Sequence, residues 1–140
     1  MVKNLSYNSK KIKTLLTEVV GRPLSLTERF KLRGIGSNKL VITDASKEIV
    51  ELLRLDNNIN YCNIEIRKNG IIIRFRSLLE TYGLIIPFYK LVIYKGESKI
   101  YSFYKDRHYV KCFVNNENST LFIKKVIRLK TVYLKKMGLN

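Results

Sequence analysis

The stretch 61-YCNIEIRKNGIIIRFRS-77 decides the fold class of this sequence. In its first half, apolar side chains alternate with polar or aromatic ones, which is the pattern of a strand with one buried face. The dipeptide Asn69-Gly70 is a strong short signal for a β-hairpin, and a loop made of these two residues would place Glu65 opposite Arg74. The stretch therefore predicts two antiparallel strands with one apolar face and one charged face.

Three arginines of this hairpin, Arg67, Arg74 and Arg76, are predicted to converge on its charged face. A guanidinium group can hold a phosphate through two parallel hydrogen bonds, so this face is a candidate anion-binding platform. The alternative interpretation is that the arginines solvate the outer side of a half-buried sheet and pair with Glu65. The sequence leaves both interpretations open.

A second β region follows, in which the periodicity predicts three antiparallel strands over 84–95, 99–105 and 108–114. With the shortest turns, Tyr89, Tyr104 and Tyr109 fall in one row across these strands, on a face that also carries Lys111. Tyrosine rings beside a cation could stack unpaired bases if that face is open. Packing beneath a helix is the alternative, because tyrosine is a preferred strand residue.

Helical periodicity precedes the sheet. Residues 10–20 predict an amphipathic helix, and Ser25 with Glu28 forms a capping box for a second, short helix. A short strand over 40–42 and a third helix capped by Asp44 are predicted next.

A long helix is predicted after the sheet, from about residue 120 to 137, with Asn118 or Ser119 as its cap. One side of this helix carries a basic stripe of Lys124, Arg128 and Lys135. The stripe could lie against phosphates or an anionic bilayer, and a solvated cationic face is the alternative.

These elements predict an α+β fold with N-terminal helices, a five-stranded antiparallel meander or partial barrel, and a long C-terminal helix. The 140 residues fit one domain, with a mainly helical part over 1–58, the sheet over 59–114 and the last helix over 118–137. The order of elements from about residue 60 to 137 resembles a pleckstrin-homology-like domain, on element order alone. That resemblance implies a peripheral membrane or protein-interaction adaptor.

The chain is strongly basic, since 27 Lys and Arg residues against 11 Asp and Glu give a formal charge of +16. Such a field favours polyanions, nucleic acid first, with an anionic membrane surface or an acidic protein as the alternative partner. The chain is also rich in lysine, asparagine and isoleucine, a bias that AT-rich coding produces without selection for binding.

No catalytic constellation stands out. The single histidine, His108, lies near Asp106, but the sequence indicates neither a positioned partner nor a substrate pocket. Cys62 and Cys112 lack metal-ligand spacing and are predicted to be small buried hydrophobes. We therefore predict no metal site, no cofactor and no enzymatic activity, and an enzyme with a pocket around His108 is the weaker alternative.

The N-terminal residues lack the apolar core of a signal peptide, and no apolar stretch is long enough to span a membrane. We expect a cytoplasmic, non-enzymatic basic binding protein that engages a polyanion, nucleic acid first. The sequence does not indicate its oligomeric state.

Overall fold

The structure is a computed structural model that describes residues 2–7, 9–55 and 59–139. In these ranges the helices are α1 (Lys10–Val20), α2 (Leu26–Leu32), α3 (Lys47–Leu53) and α4 (Glu117–Lys136). The strands are β1 (Val2–Asn4), β2 (Leu40–Ala45), β3 (Tyr61–Arg67), β4 (Gly70–Ser77), β5 (Glu80–Pro87), β6 (Leu91–Lys95), β7 (Ile100–Lys105) and β8 (His108–Phe113). The predicted α+β class is confirmed. Within the described ranges, no helix has the length and apolar character needed to cross a membrane.

The strands form one open antiparallel sheet in the order β1-β5-β4-β3-β2-β8-β7-β6. It contains two three-stranded meanders, a first meander of β3, β4 and β5 and a second meander of β6, β7 and β8, with β2 between them. The predicted five-stranded meander is wrong, because β5 and β6 are not paired and the N-terminal part of the chain contributes β1 and β2. The sheet therefore does not begin at residue 59.

The sheet is strongly curled. In a flat sheet, β5 and β6 would lie six strand spacings apart, or about 29 Å. Only three residues separate Pro87 from Leu91, so these two residues lie no more than about 14 Å apart. The sheet must curl to bring β5 and β6 within that distance.

The concave inner face of the sheet carries the main core. Side chains of the first meander, β2 and the second meander are buried there against α2, α3 and α4. The core includes Ile64, Ile73, Phe75, Leu84, Leu91, Phe103, Val110, Ile49, Leu24, Phe122 and Val126. A second, smaller core lies on the outer face, where Leu16 and Val20 of α1 pack on Ile72 and Ile85. Helix α1 thus covers part of the first meander from outside.

Local sequence signals explain most helix ends. The capping box of α2 is present, with Ser25 and Glu28 each accepting from the other's backbone N–H. Helix α3 is capped at Ser46 rather than Asp44, because β2 continues through Ala45. Helix α4 begins earlier than predicted.

The cap of α4 is Asn116 and not Asn118 or Ser119. Its side-chain oxygen accepts from the backbone N–H of Ser119 at 2.8 Å. The polar loop over 115–119 contains several residues able to cap a helix, and Asn116 occupies the cap position.

The first hairpin turns at Lys68-Asn69 and not at Asn69-Gly70, so that Arg67 pairs with Gly70. The register differs by two residues from the prediction, which leaves every side chain on its predicted face. Gly70 does not have a positive φ. A Cβ at Gly70 would come within 2.4 Å of the Ile86 carbonyl oxygen and 2.7 Å of Val20 Cγ1, so this glycine serves close packing rather than the turn.

The predicted strand over 84–95 is two strands, separated by a turn at residues 88–90. The loop between β6 and β7 is also longer than the shortest one, with Ser98 and Lys99 at positive φ. Leu91 consequently pairs with Lys105, and the register differs by an odd number of residues from the prediction. Leu91 and Ile93 therefore lie on the inner face, whereas the predicted register would place them on the same face as Tyr104.

Candidate nucleic-acid interface

The outer face of the sheet, on the side away from α4, is accessible over β2 and the second meander. We call this surface the open face. The strand registers place the following side chains on it: Val41, Asp44, Val92, Tyr94, Ile100, Ser102, Tyr104, Tyr109, Lys111 and Phe113. Ser102, at the middle of this set, is buried. Val92 and Tyr94 are 55% and 62% exposed, so solvent reaches the edge strand of this face.

Two tyrosines form the centre of the open face. Tyr104 and Tyr109 are direct cross-strand partners on β7 and β8, and their ring centroids lie 5.3 Å apart at an interplanar angle of 38°. The ammonium group of Lys111 lies 5.6 Å from the Tyr109 ring centroid. This arrangement combines aromatic surface with a positive charge held over it.

Tyr89 does not join this row. It lies in the turn between β5 and β6 and is 58% exposed, and its predicted place opposite Tyr104 is taken by Val92. The reason is the turn at residues 88–90, which ends one strand and starts another. The row as predicted therefore holds for Tyr104 and Tyr109 only.

The three arginines of the first hairpin lie on the same outer face, as predicted, but two of them share one carboxylate. Glu65 accepts from Arg67 Nε at 2.6 Å and from Arg74 Nη1. Arg67 is only 8% exposed and also donates to the Gly21 carbonyl oxygen at 3.3 Å, which ties the end of α1 to the sheet. Burial opposes the charge on Glu65, but Arg74 and then Arg67 outweigh it and hold the pKa of Glu65 below its ordinary value.

Arg76 is different, because it is exposed and forms no ion pair with the described part of the chain. It lines a groove of about 660 Å³ together with Arg74, Tyr61 and Lys39. The Lys39 ammonium lies 5.6 Å from the Tyr61 ring centroid. The groove thus repeats the pairing of a tyrosine ring with a lysine seen on the open face.

The groove and the open face are continuous. Tyr61 is the cross-strand partner of Val41, and Val41 is the partner of Phe113 on the other side of β2. Sequence reasoning missed Tyr61, Lys39 and Tyr94. The strand alternation could have placed Tyr61 on the outer face, but its proximity to β8 depends on β2 inserting between the meanders.

The basic stripe of α4 is divided by the fold. Lys124 and Arg128 line a cleft of about 900 Å³ beside α2, whereas Lys135 lies in the last turn of the helix, away from that cleft. All three belong to the helix that covers the inner face, so they are not part of the open face.

His108 begins β8 and is partly buried, with Nδ1 3.7 Å from Glu48 Oε2. Partial burial lowers its pKa below the ordinary value. It pairs with Lys105 on the inner side and contributes nothing to the open face.

No protein-family model, curated protein sequence or solved structure matches this chain. Its function must therefore be argued from the chemistry of its surfaces.

Proposed function

We propose that this protein binds single-stranded nucleic acid on the open face and the adjoining groove. The observation that carries the proposal is the partly exposed tyrosine pair of Tyr104 and Tyr109 with Lys111 over one ring. Stacking of bases on aromatic side chains needs an accessible ring, and a nearby cation neutralises the phosphate that follows each base.

The shape of the surface favours a single strand over a duplex. A sheet face presents rings that unstacked bases can reach, whereas the bases of a duplex are already stacked on each other. The described residues of the open face include no acidic side chain except Asp44, the neighbour of Lys111 across β2 and β8. Phosphates would therefore meet little repulsion there.

The charge distribution supports the same ligand. Arg76 and Lys39 extend the cationic surface along the groove, and the whole chain carries +16. A field of this sign raises the rate of association with any polyanion. The rings then supply what charge alone does not, which is a preference for exposed bases.

The test is a fluorescence-anisotropy titration with a labelled single strand and with the matching duplex, across a salt series. We expect tighter binding of the single strand, with affinity that falls as salt rises. The double variant Tyr104→Ala plus Tyr109→Ala should raise Kd by about 30-fold or more, because two stacked bases at roughly 1–3 kcal/mol each contribute at least about 2 kcal/mol.

Two control variants separate stacking from folding. Tyr104→Phe plus Tyr109→Phe keeps both rings and should bind within about twofold of the wild type, since stacking uses the ring face. Tyr7→Ala removes a tyrosine that is 70% exposed beside β1, at the opposite edge of the sheet, and should change nothing. Equal affinity of the alanine double variant and the wild type would refute the proposal. So would capture by anionic vesicles without oligonucleotide binding, which is the result that a membrane adaptor predicts.

A further inference from the structure

A cationic cleft lies between α4, the end of α2 and the segment that precedes β2. Its volume is about 900 Å³. Five basic side chains line it: Lys31, Arg33, Lys124, Lys125 and Arg128. Of the described residues that line the cleft, none is acidic, and the sequence has no acidic residue after Glu117.

Two separate pieces of the chain bring these cations together. Lys31 and Arg33 lie at the end of α2, and Arg33 adopts a left-handed conformation with φ of 59°. Such a conformation is uncommon for a residue with a side chain and costs about 1 kcal/mol. The remaining three cations come from one side of α4.

Like charges in one cleft repel each other unless an anion is present. Lys125 reflects this environment, because burial first and Arg128 second lower its pKa. Its ammonium donates to the Gly34 carbonyl oxygen at 2.9 Å, so the nearest partner is a backbone dipole rather than a carboxylate. No ion pair among the described residues involves Lys31, Arg33, Lys124 or Arg128.

Polar groups beside the cations suit phosphate oxygens. Asn38 and Asn118 also line the cleft and supply neutral hydrogen-bond donors, whereas the Ser37 hydroxyl already donates to the Asn38 carbonyl oxygen at 2.8 Å. The cleft has no aromatic pair comparable to that of the open face. Its chemistry therefore matches a sugar-phosphate backbone better than exposed bases.

The cleft adjoins the groove described above. Asn38 lines the cleft and the next residue, Lys39, lines the groove, so the two surfaces meet at this dipeptide. A nucleic-acid strand that leaves the groove beside Lys39 would have to turn around this dipeptide, from the outer face of the sheet to the side of α4, to enter the cleft. One continuous positive path would then connect the open face with α4.

We infer that the cleft holds backbone phosphates of the same strand whose bases stack on the open face. This inference rests on the proposed function. It predicts a bipartite site, in which short strands occupy the sheet surface and longer strands also reach the cleft.

The test is a length series of labelled oligothymidylates, from about 5 to 25 nucleotides, titrated against the full chain. Arg128→Glu changes the cleft, and Lys135→Glu applies the same charge change seven residues later on the same side of α4 but outside the cleft. Arg128→Glu should weaken binding of the long strands about tenfold beyond the effect of Lys135→Glu. It should also lower the salt slope for long strands by roughly 0.7 or more, with no excess effect on the shortest strand that binds.

The outcomes separate this inference from the proposed function. If Arg128→Glu and Lys135→Glu bind equally at every length while the alanine double variant of Tyr104 and Tyr109 loses affinity, the inference is wrong and the proposed function stands. An Arg128→Glu loss of the same size for short and long strands also overturns the bipartite site, because the cleft would then be the primary site. A wild-type chain that binds no oligothymidylate contradicts both.

Discussion

The two meanders of the sheet have the same topology but opposite outer surfaces. On the first meander, α1 buries Ile72 and Ile85, and Glu65 forms ion pairs with Arg67 and Arg74. On the second meander, Tyr94 is 62% exposed, and Lys111 lies over a tyrosine ring and forms no ion pair with Asp44, its cross-strand neighbour on β2. One outer surface is packed and paired, and the other is left accessible.

This difference shows how one sheet can separate stability from binding. The first meander is buried on both faces over part of its length, so its residues have little freedom to change. The second meander rests on the inner core alone, through side chains such as Phe103 and Val110. The side chains on its outer face can therefore change to suit a ligand without disrupting the core that holds the fold together.

The largest expected effect is on the packed side of the first meander. Gly70→Ala places a Cβ 2.4 Å from the Ile86 carbonyl oxygen and 2.8 Å from Pro87 Cα, and backbone atoms cannot move aside cheaply. We expect a loss of about 3 kcal/mol in the free energy of unfolding, measured as a lower midpoint in urea.

The matched control lies in the second meander. A Cβ at Gly96, in the loop between β6 and β7, would have the Ile100 carbonyl oxygen as its nearest atom, at an ordinary 3.5 Å. Gly96→Ala should change the free energy of unfolding by less than about 1 kcal/mol. Equal effects of the two substitutions would show that the meanders do not differ in how tightly they are packed.

The next effect is electrostatic and depends on pH. The folded-state pKa of Glu65 lies below its ordinary value of 4.5. Its contribution to stability is therefore complete above about pH 4.5 and is lost as the pH falls through the folded-state pKa. Glu65→Gln should cost about 2 kcal/mol at pH 7, because it leaves the buried guanidinium of Arg67 without its counter-charge.

Urea unfolding of the wild type and Glu65→Gln at several pH values measures this effect. Below about pH 4.5 the two stabilities should converge, since protonation removes the same charge from the wild type. Exposed carboxylates such as Glu28, with a pKa of about 2, leave a residual acid dependence in both proteins. A constant difference in stability between the two proteins at all pH values would show that the charge of Glu65 does not stabilise the first meander.

Sequence patterns predicted local structure well where one short motif was sufficient. The capping box of α2 and the end of α1 before Gly21 are examples. The strand alternation also predicted which hairpin side chains lie on each face. The register of the hairpin was less predictable. Which two residues form the turn depends on the close packing of α1 against Gly70, and that packing is a tertiary contact.

The site was predictable only in part, for a topological reason. Tyr104 and Tyr109 are neighbours through a short turn, so local reasoning found them. Nothing local shows that β2 inserts between β3 and β8, and this insertion brings Tyr61 next to the second meander. The predicted arginine platform likewise could not reveal how deeply Arg67 is buried, since that depends on the position of α1.

The smallest expected effect concerns the point where the two meanders meet. Cys62 of β3 and Cys112 of β8 are both buried, and their sulfur atoms lie 3.4 Å apart across β2. The hydrogen bond with Cys112, followed by burial, raises the pKa of the Cys62 thiol well above its ordinary value. The thiolate is the reactive form, which disfavours reaction at Cys62, and burial keeps the reagent from both sulfurs, so both should resist a disulfide reagent until the protein unfolds.

Cys62→Ala should cost about 1 kcal/mol, the scale of removing one small buried group, and should leave oligonucleotide affinity unchanged. The thiol reaction rate is measured with an aromatic disulfide reagent, with and without denaturant. Rapid reaction in native buffer would mean that the meanders separate at β2 more easily than either of them unfolds. The open face would then depend on whether β2 stays paired with both meanders. The boundary between the packed first meander and the binding second meander would therefore lie at β2.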